Sequence, residues 1–364
     1  MLKKLDKYII KKYLITFFYT IILISVVAVA MDVSERIGKF ISNDLSFKEV
    51  AIDYYAHFLP WLNGELWPLF AFLSVIFFTS RMARDSEIIA MLSSGMNYNR
   101  ILRPMIIGAA IVASLHWVGE NYVIPHSNYH LNEFKSKYIK RSIKKVLSND
   151  IQFFITEDEK IYCRYFFKRD SSLKHFRLEK FNVGGEIESF FKAEKLTYQS
   201  ESGKWRAKNY EMRSFDGLTE TLIVGEEDAE LDTTINIKPG DFVRHSKQME
   251  IMSTPELLDY IAYEKVRGLD NTKRFTIESY KRTAGPFTIF ILTLIGASIG
   301  TKKIRGGLGM HLALGVGLGA VYVVLSKFSE TFASNLDVPP IIGVSVPNLL
   351  FLGVAFYLFK IAQK

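Results

Sequence analysis

The sequence predicts a polytopic α-helical membrane protein with six transmembrane helices and an inserted extracytoplasmic domain, β-rich and jelly-roll-like, between the third and fourth. Three observations predict it. Apolar residues, 49% of the 364, gather into one block at each end of the chain. Basic residues favour alternate loops between the apolar runs. The stretch between the two blocks changes from a helical to a strand-like period. A mean hydropathy of +0.11 suits such a mosaic, being low for a chain that is all membrane and high for one that is all soluble.

A helix needs roughly 20 apolar residues to cross about 30 Å of hydrocarbon. Six runs meet or approach that length: 13–31, 59–79, 105–124, 284–300, 308–325 and 341–359. Nothing between 125 and 277 comes close. The fourth and fifth runs are short and rich in glycine, which leaves their limits least defined. One set of loops carries Lys3, Lys4, Lys7, Lys11 and Lys12, then Arg81, Arg84, Arg100 and Arg103, then Lys302, Lys303 and Arg305, then Lys360 and Lys364. The short loops of the other set carry only Arg36, Lys39, Lys48 and Lys327. Cytoplasmic loops hold the excess of Lys and Arg, so both termini are expected in the cytoplasm and the large middle domain outside. The lysines, apolar run and Ala28-Val29-Ala30 at the start also resemble a signal peptide with its cleavage site. The run exceeds a usual signal core and five spans follow it, so it reads as a retained span. The expected domains are 1–124, with spans one to three and a loop helix near 84–95; 125–277, the β-rich domain with linker helices; and 278–364, with spans four to six.

The formal charge of +8 is spread over short loops and not gathered into a patch, so membrane orientation explains it and no nucleic-acid partner is expected. Cys163 is the sole cysteine, which excludes an intramolecular disulfide. In the middle domain, 161–167 is rich in aromatic and β-favouring residues, 174–183 alternates imperfectly, and 205–212 is one more strand. Gly184-Gly185, Ser202-Gly203 and Asp216-Gly217 are turn signals between them. Such short strands suggest a sandwich or jelly roll, and an ordinary ectodomain that binds a protein fits the same pattern. Thr254-Pro255-Glu256 reads as a helix start, with Thr254 as the cap, and Gly268 and Asn271 as a break after it.

Enzyme signatures are missing. No G-x-x-x-x-G-K-[ST] phosphate loop, paired-Cys or H-E-x-x-H metal spacing, or G-x-S-x-G elbow occurs. No metal site, resident cofactor or catalytic residue is therefore expected. His311, near a membrane boundary, reads as a packing or interfacial residue, although an intramembrane ionisable group is also a site candidate. Glu65, inside the second run beside Asn63 and Trp67, either lines a cavity or reaches the nearby interface.

The loop after the second span carries the clearest mechanism. It reads Arg81-Met82-Ala83-Arg84-Asp85-Ser86-Glu87-Ile88-Ile89-Ala90-Met91-Leu92-Ser93-Ser94-Gly95. Asp85 or Ser86 can cap a short helix, Glu87 suits its positive end and Gly95 its stop. Ile88, Met91 and Leu92 would share one face. Such a helix either lies in the membrane interface or plugs into a cytoplasmic protein and transmits force. Gly296 with Gly300 and Gly315 with Gly319 form two small-residue pairs that let helices approach closely, within one subunit or between two. Acyl chains need an apolar cavity and phosphorylated sugars need cations at headgroup level, for which Arg36, Lys39 and Lys327 are the candidates, or else solvated loop charges.

With that loop in view, the chain resembles the LptF/LptG permease family, the membrane subunits of the lipopolysaccharide-exporting ABC transporter. The resemblance rests on Leu5-Asp6-Lys7-Tyr8-Ile9, Ala83-Arg84-Asp85-Ser86-Glu87 through Ser94-Gly95, Gly119-Glu120 to Pro125, and Pro339-Pro340-Ile341-Ile342-Gly343. The order of three spans, β-domain and three spans matches too, and the start leans towards LptG. The resemblance implies a multi-pass protein of the cell inner membrane with its large domain in the periplasm, paired with a paralogous LptF/LptG permease around a lipid cavity. It implies a cytoplasmic ABC ATPase dimer using ATP and Mg, docked on the loop helix through Arg84, Asp85, Ser86, Glu87, Ile88, Met91 and Leu92. It also implies a hand-off of lipopolysaccharide to periplasmic LptC/LptA-like bridge proteins. The strand residues Tyr162, Phe166, Phe176, Leu178 and Phe181 are the candidates for a lipid slot, or else a closed core. One departure stands out: Met31-Asp32-Val33-Ser34-Glu35-Arg36-Ile37-Gly38-Lys39 interleaves acids where family members can place several basic residues. A membrane-anchored scaffold that recruits envelope proteins without transport is the competing function.

Overall fold

A computed structural model of the chain describes residues 3–139, 144–146, 149–182, 184–217, 219–226, 229–245, 248–266, 272–302, 307–336 and 338–363. Gly268, Asn271, Lys303, Arg305 and Lys364 lie outside the described residues. The chain divides into two compact units, one of Met1–Ile139, Met249–Leu257 and Lys273–Lys364, the other of Lys140–Gln248 and Leu258–Thr272.

The first unit holds α1 (Lys4–Ser42), α2 (Phe47–Glu49), α3 (Ala56–Arg84), α4 (Glu87–Ser93), α5 (Tyr98–Val118) and α6 (Ile124–Phe134). It continues with α7 (Gln248–Ile251), the start of α8 (Thr254–Val266), α9 (Thr272–Gly300), α10 (Gly307–Asn335) and α11 (Pro340–Ala362). Six helical stretches are long and apolar enough to cross a membrane, and they contain the six runs read from the sequence. They outrun the apolar cores because caps and π-helical turns extend them. At Ser46 the hydroxyl accepts from the Glu49 N–H at 3.3 Å while the Glu49 carboxylate accepts from the Ser46 N–H at 2.8 Å, a reciprocal cap. A π-helical turn, Val50–Tyr55, then leads into α3. Another, Gly119–Val123, carries α5 into α6.

Helix α3 is the hub. Phe70, Val75 and Met82 pack with Tyr13 and Phe17 of α1, Met105 and Ala109 of α5 and Ile289 of α9. Its Phe72 and Ile76 pack with Leu292 and Ile295 of α9 and Phe351 of α11. The four glycines singled out in the sequence all turn towards it. A Cβ on Gly300 would stand 2.0 Å from Thr79 Oγ1, and one on Gly315 2.5 Å from Ile76 Cδ1. Gly319 meets Leu69 and Gly296 meets Phe72 in the same way. These contacts lie within this one chain. Outward faces stay apolar: Tyr19, Ile22 and Val26 of α1 and Val321, Val324 and Phe328 of α10 are exposed, as surfaces solvated by lipid or a partner helix require.

The second unit is antiparallel. Its main sheet holds β2 (Asn149–Phe154), β3 (Glu159–Phe167), β4 (Ser172–Phe181), β5 (Ile187–Gln199), β6 (Lys204–Asp216) and β7 (Thr219–Val224), each paired with its sequence neighbour. Strand β8 (Glu230–Thr233) pairs with the first half of β6, and β1 (Lys144–Val146) pairs with β9 (Val243–His245). The β-rich insertion is thus a meander, simpler than the two Greek keys of a jelly roll. Tight turns impose the later part of this: Gly185, Gly203 and Gly217 sit at φ of +80°, +67° and +60° and return β5, β6 and β7 directly beside the strand before. One face of the sheet is covered by Ile235, Ile237 and Phe242, and Trp205 donates its indole N–H to the Ile237 carbonyl at 3.0 Å.

Candidate functional site

Both termini and the α4 loop share one end of the helical unit. Gln363 Nε2 donates to Asn99 Oδ1 at 3.0 Å, and Arg100 clasps Asp6 with its two terminal guanidinium nitrogens, one at 2.8 Å. Glu87 opens α4. Its carboxylate accepts from Lys12 Nζ at 2.8 and 3.0 Å and from the Tyr8 hydroxyl at 2.9 and 3.1 Å. Ser86 takes the cap position in a left-handed conformation, φ 60°, and its side chain makes no cap hydrogen bond. The loop therefore rests on the Glu87 clamp, with Gly95 at φ +81° where the helix stops. Arg84 and Asp85 pair with each other at 3.1 Å on the exposed side. Ile88 is fully buried and Met91 packs against the same core, whereas Leu92, with Ile89, stays exposed. The apolar face expected of Ile88, Met91 and Leu92 is in fact split, because α4 lies against the bundle. What it offers outward is Ile89 and Leu92.

The opposite end carries the headgroup candidates. Arg36 is tied to Asp32 one turn earlier, Nε to Oδ1 at 2.6 Å, and Tyr54 and Tyr55 donate to the same carboxylate at 3.2 Å each. These acidic neighbours, seen in the sequence as a departure from the family pattern, hold the guanidinium in place. Beside them an open groove of about 970 Å³ runs along Val26, Met31, Asp32, Arg36, Phe58 and Trp61. Lys39 is exposed. Lys327 is anchored to Glu65 at 2.6 Å and faces Glu330 at 3.5 Å, and Lys281 holds the other Glu65 oxygen at 3.1 Å. His116 and Glu120, one turn apart, stand 3.5 Å from each other. His311 is buried near the start of α10.

Of the slot candidates, Phe166 and Phe176 are buried in the sheet's packed core and Leu178 is packed against it. Tyr162 turns to the other side and donates to Asp150 at 2.8 Å, and Phe181 rests by Phe154 at the sheet margin. Cys163 lies in the same core, where burial pushes its thiol up to about 12.

Residues 7–361 match the family described as lipopolysaccharide export system permease LptF/LptG. The chain belongs to this family. Among its relatives is the lipopolysaccharide export system permease protein LptG of Escherichia coli strain K12, 20% identical over 293 residues, 80% of each chain. The LptG of Haemophilus influenzae is 20% identical over 372 residues, 99% of each chain. These relatives agree with the lean of the Leu5-Asp6-Lys7-Tyr8-Ile9 start towards LptG. The permease is thus a multi-pass membrane protein of a family of export-system permeases. Sequence reading passed over the partners that build its ion pairs: Tyr8 and Lys12 for Glu87, Asp32 for Arg36, and Lys281, Glu330, His116 and Glu120. An ionisable residue in or beside an apolar run was the available signal.

Proposed function

We propose that this permease subunit extracts lipopolysaccharide from the inner membrane and passes it to a periplasmic bridge of LptC/LptA-like proteins, driven by a separate cytoplasmic ABC ATPase dimer that uses ATP and Mg. The observation that carries this reading is the α4 loop in a chain of this family. It is a short helix clamped to α1 by Glu87, buried on one side through Ile88 and offering Ile89 and Leu92 on the other. A lever of that kind passes a push from a docked protein straight into the first span. Both termini then lie in the cytoplasm and the β-rich unit in the periplasm, in keeping with the Lys/Arg bias of the loops. A paralogous LptF/LptG permease would cover the exposed apolar faces of α1 and α10 and close a lipid cavity between the two chains. Of the headgroup candidates, exposed Lys39 is free of the acidic clasp that holds Arg36. The edge strand β7, with Leu222, Ile223 and Val224 exposed, suits addition of a partner's strand.

Affinity purification in mild detergent with partner identification, followed by reconstitution, tests the reading. An ATPase, a second permease and a bridge protein should co-purify, and lipopolysaccharide should leave the vesicles only with ATP. A membrane-anchored scaffold would recruit envelope proteins through β7 and release no lipid. That result would overturn transport.

A further inference from the structure

The ionisable residues at the end of the bundle remote from the termini enclose a cavity of about 100 Å³ between α3, α5, α9, α10 and α11. One water needs roughly 10–15 Å³ by this measure, so the space holds several waters or one small polar group. Thr288, Tyr322 and Asn348 make a polar wall: Thr288 and Tyr322 both donate to Asn348 Oδ1, at 2.8 and 3.0 Å. The charged walls are Glu65, Glu120, Glu330, Lys281 and Lys327. Two further lining groups, His116 Nδ1 and Ser326 Oγ, are buried without a hydrogen-bond partner, and the His116 residue is only 4% exposed. Buried polar atoms are nearly always paired, so something that occupies this cavity completes them.

The charges say what kind of group it is. Three carboxylates face two ammonium groups across the cavity; Arg282 and Glu278 nearby form their own pair at 3.2 Å. A bare anion would add to the carboxylate excess. A bare cation would meet Lys281 and Lys327. A group with both charges suits both walls: its phosphate takes N–H donors from the two lysines, and its ammonium donates to Glu120 and Glu330. Lys281 lies just before the apolar run 284–300 and Lys327 just after 308–325, which is headgroup depth. Close helix packing shapes the walls, since a Cβ on Gly285 would stand 2.6 Å from His116 Cε1.

We propose that this cavity is a headgroup site for a zwitterionic aminophosphate of the phosphoethanolamine type, formed by a single chain. The proposal does not rest on the transport reading. The test is native mass spectrometry of the purified full chain with phosphatidylethanolamine, phosphatidylcholine or phosphatidylglycerol, with soluble glycerophosphoethanolamine as competitor. Phosphatidylethanolamine should be retained roughly tenfold better than the other two, because a trimethylated amine has no N–H to give Glu120 and Glu330, and a glycerol has no charge. Glu120→Gln should abolish that preference, whereas Lys327→Gln, which removes a donor to the phosphate common to all three, should weaken retention of every one of them. Competition by the soluble compound would show that the headgroup alone suffices. Selective retention without competition would assign the site to the lipid-borne group. Equal retention of phosphatidylethanolamine and phosphatidylcholine by the unaltered chain, or preference for phosphatidylglycerol, would overturn the proposal without any variant having to fold.

Discussion

Glu87 is the residue whose replacement says most about how this permease is driven. Its carboxylate holds Lys12 and Tyr8 through contacts of 2.8–3.1 Å, with the Lys12 and Glu87 side chains both 29% exposed. A charge-assisted hydrogen bond is worth about 1.5–3 kcal/mol when well shielded, and an exposed pair about 0–1 kcal/mol. Partial exposure puts this clamp between them, at about 1–2 kcal/mol. Glu87→Gln keeps an acceptor for Tyr8 and removes the charge facing Lys12, so it should cost about 1 kcal/mol and raise the open population of the loop about fivefold. Glu87→Lys sets two ammonium groups together and should raise it by about thirtyfold, at about 2 kcal/mol. Hydrogen exchange reads this directly at the Ala90 amide, which bonds the Ser86 carbonyl at 2.9 Å inside the loop helix. Co-purification with the ATPase should weaken in the same order while membrane insertion is unchanged. Normal exchange, assembly and export in Glu87→Lys would reduce Glu87 to an ordinary helix-end residue. Additive effects of Glu87→Gln and Lys12→Met would show that the two side chains are not coupled.

Three further outcomes are expected. The purified chain alone should hydrolyse no ATP, and clear turnover in a phosphate-release assay would refute a separate ATPase. Gly300→Ala should lower the melting temperature in detergent, by about 1–3 kcal/mol of overpacking against Thr79 and the Ile76 carbonyl; Gly317→Ala, where a Cβ meets nothing within 4 Å, should be neutral. Cys163 should resist a maleimide at pH 8, since a thiol pushed up to about 12 is ionised to roughly one part in ten thousand there, and should react fully once the β-rich unit is unfolded; rapid labelling of the folded chain would contradict a closed core.

The spans were legible because crossing hydrocarbon demands a long apolar run whatever lies beside it. The limits of α4 were legible for a similar reason, since Gly95 at φ +81° marks a local backbone need. Partners distant in sequence were not. Glu87 meets Lys12 across 75 residues and Glu65 meets Lys281 across 216, and no local period encodes which helix lies beside which. The helix start after Ser253 shows a smaller slip. Glu256 accepts from the Ser253 N–H at 2.8 Å, so the cap falls at Ser253, and Thr254 Oγ1 instead receives Arg282 at 3.2 Å. In the sheet, alternation was imperfect in the sequence for a structural reason. His175 adopts φ 51° and shifts the phase of β4, so that Leu173 and Phe176, three residues apart, both enter the core.

One set of ion pairs lies just beyond the last turn of α3 and another at Glu65 in its first half, and the glycine contacts fall between them. Beyond the last turn of α3, Glu87 ties the loop to α1; in the first half of the helix Glu65 ties it to α9 and α10. Between the ends, Gly296, Gly300, Gly315 and Gly319 bring α9 and α10 so near that side chains of α3 interlock with bare backbone. Packed interiors resist small deformations and transmit them. A push on α4 therefore has two ways to travel: directly into α1 through the Glu87 clamp, or along α3 as a rigid rod to Glu65. The routes differ in what they move. The first shifts a helix whose outer face is exposed along Tyr19, Ile22 and Val26, while the second loads a helix whose inner half is locked on both sides. In the proposed transporter a motor docked on α4 would reach α1 directly through the Glu87 clamp, while α3, packed on both sides, would carry the push towards Glu65.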